Sequence, residues 1–267
     1  MAAASGIFAL LSQKNLVRRY KKGEIGQLLR AAQGVTLYAP PAGQDPYRFF
    51  WRGQHDITWG FSSRLYRDCA KPVSRKQMDD REEQILAAFD RTGLSEARLP
   101  LLQRLAMLQH HGAPTRLIDV STDYLPAMYF ACEDAARETG PTGDGLLLAF
   151  LVPDPRSNLE TDEMTYKGQL RDAIRLDVAR NAIRYYIPPP IADRIRAQRG
   201  AFIVGDEPRT KYPEWMSIRW KLPSSPWTNE KLEQVLNPEA PRRPGRPGTP
   251  FIVGFCIDKE LKQEVLA

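Results

Sequence analysis

The stretch "DGLLLAFLV", Asp144 to Val152, is an unbroken apolar run bounded by Gly145 and Pro153. A strand with one face in water alternates apolar and polar residues. A short run with no polar position reads instead as a strand covered on both faces, at the centre of a sheet. "YRFFWRGQ", Tyr47 to Gln54, is aromatic-rich, follows Pro46, and reads as a second buried strand. "TRLIDV", Thr115 to Val120, reads as a third. "FIVG" occurs at Phe202 to Gly205 and again at Phe251 to Gly254, giving two short strands. The repeated tetrapeptide is taken as chance, not as an internal repeat.

Helical spacing fills the intervals. Residues 12–33 predict one or two charged helices, with "LVRR" and "IGQLLRAA" as their apolar faces. "SRKQMDDREEQILAAFDRTG" predicts a helix capped by Ser74, with Ile85, Leu86 and Phe89 on one face and Gly93 as the stop. "LPLLQRLAMLQHHG" predicts another, with Pro100 in its first turn and Gly112 at a left-handed cap. Leu125 to Arg137 resumes the helical period, with Ser121, Thr122 or Asp123 as the cap. "RYY", Arg184 to Tyr186, and the helical aromatics Tyr129 and Phe130 read as core. "PEAPRRPGRPGTP" predicts a mobile connection. "DKELKQEVLA" begins an amphipathic helix with no stop signal, so the chain reads as one that continues past Ala267. Helices and short strands mix without βαβ regularity. The expected fold class is α+β, in a single domain over 1–267 with N-terminal helices in 1–45 and a core from 46 onward.

Charge and cysteine usage narrow the partners. The net charge of +6 suits an anionic ligand but is too small to imply nucleic acid. The apolar run "GIFALL" is shorter than the roughly 7–15 residues of a signal-peptide core. No stretch approaches the roughly 20 apolar residues that span a bilayer. Three scattered cysteines, Cys69, Cys132 and Cys256, argue against a disulfide framework and against zinc. The expectation is a cytoplasmic protein without membrane contact.

Two stretches carry groups that do chemistry. In "FFWRGQHD", Arg52 stands inside an apolar strand, where its charge needs a partner. A solvent-facing or acid-paired arginine is one reading; a guanidinium gripping a carboxylate or phosphate bidentately is the other. Gly53 after it permits close approach to the backbone. "QHHGAPTRLIDVSTDYLPAMYFACE", Gln109 to Glu133, gathers His110, His111, Thr115, Arg116, Asp119, Ser121 and Thr122 between apolar runs. A histidine at a helix C-terminus answers the dipole, Arg116 and Asp119 suit a buried pair, and Ser121 and Thr122 suit a cap. The convergence of so many polar groups is what those separate readings leave over. No G-x-S-x-G, G-x-x-x-x-G-K-[ST] or G-x-G-x-x-G occurs. His110 and His111 are adjacent and face different directions, so with only His55 remaining no metal site is expected.

These motifs resemble those of the FRG domain family. "FWRGQ" followed by tryptophan and "SSRLYR" resembles its opening motif, "LQHHGAPTRLIDVSTDYLPAMYFA" its central one, and "RIRAQRGAFIV" its third, in the family's order. The resemblance implies a distant likeness to ADP-ribosyltransferases, with a split-sheet core of short mixed or antiparallel strands among surrounding helices. It further implies that Arg52, with Gly53, clamps the pyrophosphate of NAD. Ser121 and Thr122 fix the nicotinamide ribose, and Ala127, Phe130 and Ala131 follow on the next helix. Gln198 stands at the late position before "GAFIV", where those enzymes carry an acid. His111 and Thr115 line the same pocket. The sequence departs at Gln198, which is neutral, and at Asp123, where a second serine is usual; Glu207 is a weaker substitute for the acid. The implied catalytic set is Arg52, Ser121 and Gln198. The implied cofactor-binding set is Arg52, Gly53, His111, Thr115, Ser121 and Thr122, with NAD as substrate and no metal.

Three functions follow. The first is NAD-dependent ADP-ribosyl transfer or NAD cleavage by an intracellular toxin or phage-defence effector, on a macromolecular acceptor that the sequence does not identify. The second is a nucleotide- or phosphate-binding module without chemistry. The third is nucleic-acid binding through Arg75, Lys76, Arg242, Arg243 and Arg246, with affinity falling steeply in salt.

Overall fold

The computed structural model describes residues 6–38, 47–69, 73–92, 99–153, 184–189, 193–204, 223, 225–237 and 251–267. The chain divides into two compact units: 1–60, 120–156 and 221–267 form the first, and 61–119 and 157–220 the second.

The first unit is built on the apolar run. β4 (Gly145–Pro153) pairs antiparallel along one edge with β2 (Tyr47–Gln54) and along the other with β7 (Phe251–Ile257). Leu146 to Val152 are fully buried, as a strand with both edges and both faces covered requires. β7 in turn pairs parallel with β1 (Val17–Tyr20), so the order in this unit is β1-β7-β4-β2, followed by the end of β3 (Leu117–Ser121). β2 meets β3 at one register position, Trp51 opposite Ser121, whereas it meets β4 at eight. α1 (Ile7–Gln13), α2 (Ile25–Leu37), α6 (Tyr124–Cys132) and the C-terminal helix Lys259–Leu266 complete the unit with the helix Asn229–Leu236. Leu28, Val35, Trp51, Ala127, Ala131, Val253, Phe255 and Leu261 share its core.

Residues 17–20 overturn the expectation that "LVRR" supplies the apolar face of a helix. "VRRY" forms β1 because β7 offers it a parallel edge, a non-local reason that local propensity does not register. Its arginines suit an edge: Arg19 donates to Asp144 at 2.5 Å and Arg18 pairs with Glu233.

The second unit holds α3 (Arg64–Asp68), α4 (Arg75–Arg91), α5 (Leu101–His110), the start of β3, β5 (Tyr185–Tyr186), a short helix Asp193–Ala197 and β6 (Gly200–Val204), with the order β3-β6-β5. Ser74 caps α4 in a full capping box with Gln77. Pro100 is the N-cap of α5 and not part of its first turn, and Gly112 takes φ +86° after the helix. Leu86, Phe89, Leu102, Leu105, Leu117, Tyr186 and Phe202 form this unit's core. Among the described residues the strands form a mixed sheet flanked by helices, in keeping with the α+β reading. The Pro/Gly/Arg-rich stretch 238–250 and Glu207 lie outside the described residues.

Candidate functional site

Arg52 lies near the end of β2 and is half-buried. Alternation along the strand sets Trp51 and Gly53 on the face that carries α6, and Arg52 with Phe50 and Gln54 on the other. Trp51 packs edge-on against Tyr124 of α6, with ring centroids 5.6 Å apart. The backbone that approaches Gly53 is that of α6. A Cβ at position 53 would fall on the Ala127 carbonyl oxygen and within 2.5 Å of the Ala131 amide nitrogen. Gly145 on β4 is pressed in the same way against the Ala131 carbonyl. The arginine–glycine pair therefore splits into two jobs: glycine seats a helix on one face, and arginine presents its fork on the other.

The register Trp51–Ser121 sets the Ser-Thr pair beside this strand. Ser121 is buried, and its hydroxyl accepts from the Asp123 amide at 3.0 Å. Asp123 is the cap of α6, accepting from the Leu125 amide at 2.9 Å. Thr122 is exposed. The helix α6 ends at Cys132, and one 3-10 turn, Glu133–Ala136, replaces its expected continuation to Arg137. Tyr129, expected in the core, is 52 % exposed; Phe130, crossing it edge-on, is only half-buried.

The other expected site residues belong to the second unit. Thr115 is fully buried, donating its hydroxyl proton to Gln109 and accepting from the Leu117 amide at 3.2 Å. His111 is exposed at the C-cap of α5, its ring 5.1 Å from that of His110. Gln198 is half-buried between the helix Asp193–Ala197 and β6, before Arg199 at φ +46°. Within this unit the opening and central motifs touch: Leu65 donates its amide to Thr115 at 3.2 Å and Arg64 its guanidinium to Gly112 at 2.8 Å.

The pairing expected of Arg116 with Asp119 does not form. Arg116 donates from Nε to Glu82 at 2.7 Å and from Nη2 to Asp79 at 2.8 Å, all three residues being buried. Burial alone would lower the pKa of this guanidinium; the charges and hydrogen bonds of Glu82 and Asp79 outweigh it, and the net direction is up. Asp119 points outward from β3 and accepts from Gln109 at 2.7 Å.

A second cluster escaped sequence reading. Lys262 and Asp134 are both fully buried, 2.8 Å apart, and Lys262 also donates to the His55 carbonyl at 2.6 Å. Asp134 further accepts from the amide and hydroxyl of Thr142 at 3.1 and 3.2 Å. Burial pushes its carboxyl up, but the bonds from Lys262 and Thr142 prevail and hold it below the usual carboxylate range. His55 Nδ1 lies 3.1 Å from Glu133 Oε1, and its ring sits 4.4 Å from that of Trp59. One signal was available: Lys262 precedes Val265 and Leu266 by three and four residues, on the face of the helix that is apolar. Nothing local marks Asp134 as its partner.

Residues 47–140 match the family model of the FRG domain. That segment, about a third of the chain, is similar to the FRG domain. The FRG segment spans β2, α3 to α6, β3 and the 3-10 turn, while β4 and β7 lie beyond it. No curated protein and no solved structure matches the chain. Among the described residues no cluster of His, Cys, Asp and Glu could hold a metal ion, and no helix is long and apolar enough to cross a membrane. The three cysteines are free; burial pushes the Cys132 and Cys256 thiols up to about 12. Of the residues suggested for nucleic acid, Lys76 is exposed and pairs with Asp80 at 2.5 Å, and Arg242, Arg243 and Arg246 lie outside the described residues.

Proposed function

We propose that the FRG domain binds NAD through Arg52 and cleaves it, releasing nicotinamide or passing ADP-ribose to an acceptor, in the manner of an intracellular toxin or phage-defence effector. The observation that carries this reading is the single register position Trp51–Ser121. It brings the Arg-Gly strand and the Ser-Thr strand edge side by side, in the order the ADP-ribosyltransferase likeness calls for. At that point the two strands share one paired position, whereas β2 and β4 share eight, a narrowing in keeping with a split sheet. Arg52 supplies a fixed cation for the pyrophosphate. The hydroxyls of Ser121 and Thr122 serve the nicotinamide ribose.

The test is titration with NAD, followed by thermal unfolding and by nicotinamide release. The expected result is protection that grows by about 1.4 kcal/mol per tenfold NAD once the ligand exceeds its Kd. Arg52→Ala should abolish both protection and release. Absence of protection at millimolar NAD, or full release from Arg52→Ala, overturns the proposal. Protection without release favours the second reading, a nucleotide-binding module, which the neutral side chain of Gln198 supports.

A further inference from the structure

One residue of the arginine–glycine strand has no part in the reading above. Gln54, the last residue of β2, is only 2 % exposed. Its amide nitrogen donates to the Gly60 carbonyl at 2.9 Å. A carbonyl can be met only by the nitrogen end of a carboxamide, so this bond fixes which end of the side chain is which. The other end, Oε1, is buried and accepts no hydrogen bond from any described residue.

The strand pair itself has nothing to give that oxygen. Gln54 stands opposite Leu146 in the register of β2 and β4, and Arg52 opposite Leu148. Both leucines are fully buried, and neither side chain carries a donor. On its other edge β2 pairs with β3 at Trp51 alone, so among the described residues no strand pairing accompanies Arg52 to Gln54 on that side. A side chain that merely stapled the loop 55–60 through Gly60 would account for the nitrogen. It would leave the oxygen at its full desolvation cost.

Strand alternation puts Gln54 on the same face as Arg52, two residues and about 7 Å along. That face therefore carries a cation and an unanswered acceptor in sequence. They recognise complementary groups: a guanidinium takes an anion, and an amide oxygen takes an N–H. A dinucleotide such as NAD offers both. Its pyrophosphate lies between two ends that each carry an NH2 group, the carboxamide of nicotinamide and the exocyclic amine of adenine.

We infer that Gln54 is a specificity-determining residue, whose Oε1 accepts from an NH2 group of the dinucleotide held by Arg52. This role rests on the NAD reading above. It adds what a cation alone lacks, a means of telling the dinucleotide from other phosphates. The donor arrives with the ligand, so the cost of the unanswered oxygen is relieved on binding. An analogue with oxygen in place of that NH2 sets one acceptor against another and is rejected.

The experiment measures the affinity of the full chain for three ligands by calorimetry. These are NAD, its deamidated form with a carboxylate in place of the carboxamide, and its hypoxanthine form with oxygen in place of the adenine amine. One analogue should bind at least about tenfold more weakly than NAD, and which one it is shows the end that Gln54 reads. Gln54→Met keeps the length of the side chain without the acceptor and should bring that analogue close to NAD. A lost staple alone would weaken all three ligands together and leave their ratio unmoved. Equal affinity of the unaltered chain for all three overturns the inference and leaves the NAD reading standing. A preference undiminished in Gln54→Met overturns it as well. No binding of NAD by the unaltered chain overturns both. Should Gln54→Met fail to fold, Gln54→Glu takes its place: an acidic side chain there bears directly on the analogue's oxygen, and an unmoved ratio overturns the inference.

Discussion

Arg116 and Lys262 are both cations buried inside the protein, and they are satisfied in opposite ways. Arg116 spreads its planar fork over two carboxylates one turn apart on α4, Asp79 and Glu82. Lys262 is a point charge answered by one carboxylate and one backbone carbonyl. The first arrangement joins a helix to the residue that opens β3 and leaves an excess of negative charge. The second is neutral and joins three stretches far apart in sequence, around positions 55, 134–142 and 262. The contrast shows two uses of a buried charge. One locks a junction within the FRG segment; the other fastens that segment to the loop at Thr142 and the C-terminal helix beyond its boundary.

Removing each cation should separate these uses. Arg116→Met strands two buried carboxylates and should cost at least the upper end of the roughly 3–5 kcal/mol typical of a broken buried pair, read by urea unfolding. Lys262→Met strands one and should cost about 3 kcal/mol, whereas Lys262→Met with Asp134→Leu should recover most of the loss. A double variant no more stable than the single one would contradict the account of a simple charge pair. Asp134 also sets a pH signature. Its folded pKa is depressed, so its contribution is present above the unfolded value near 4 and fades as pH falls through the folded value. Asp134→Asn should flatten stability against pH on that acidic side. Gly53→Ala drives a Cβ into the backbone of α6 and should cost about 1–3 kcal/mol or more without touching either cation. Ser74→Ala removes the capping box of α4, the helix that carries Asp79 and Glu82, and should cost about 1 kcal/mol.

What was legible in the sequence was what has a local cause. The apolar run of β4, the aromatic strand β2 and the Ser74 cap are each written in adjacent residues, and each forms where the pattern places it. β1 was misread because its reason lies in β7, more than two hundred residues away. Asp119 looks like the partner of Arg116 by spacing, yet Asp119 turns outward from β3, while Arg116, just before that strand, is buried against Asp79 and Glu82. Tyr129 looked like core because helical aromatics usually are; here the buried face of α6 is taken by Ala127, Met128 and Ala131. Of the expected site, the Arg52 to Ser121 neighbourhood follows from strand register, which no single segment encodes. The His55, Glu133 and Lys262 group was invisible for the same reason.

The bare glycines beneath α6 have a mechanical consequence. Elsewhere a helix rests on a sheet through a cushion of side chains that can change rotamer and absorb a displacement. At Gly53 and Gly145 the cushion is missing, and peptide groups of helix and strand bear on one another directly. Any push on α6 is therefore transmitted undamped to the strand that holds Arg52.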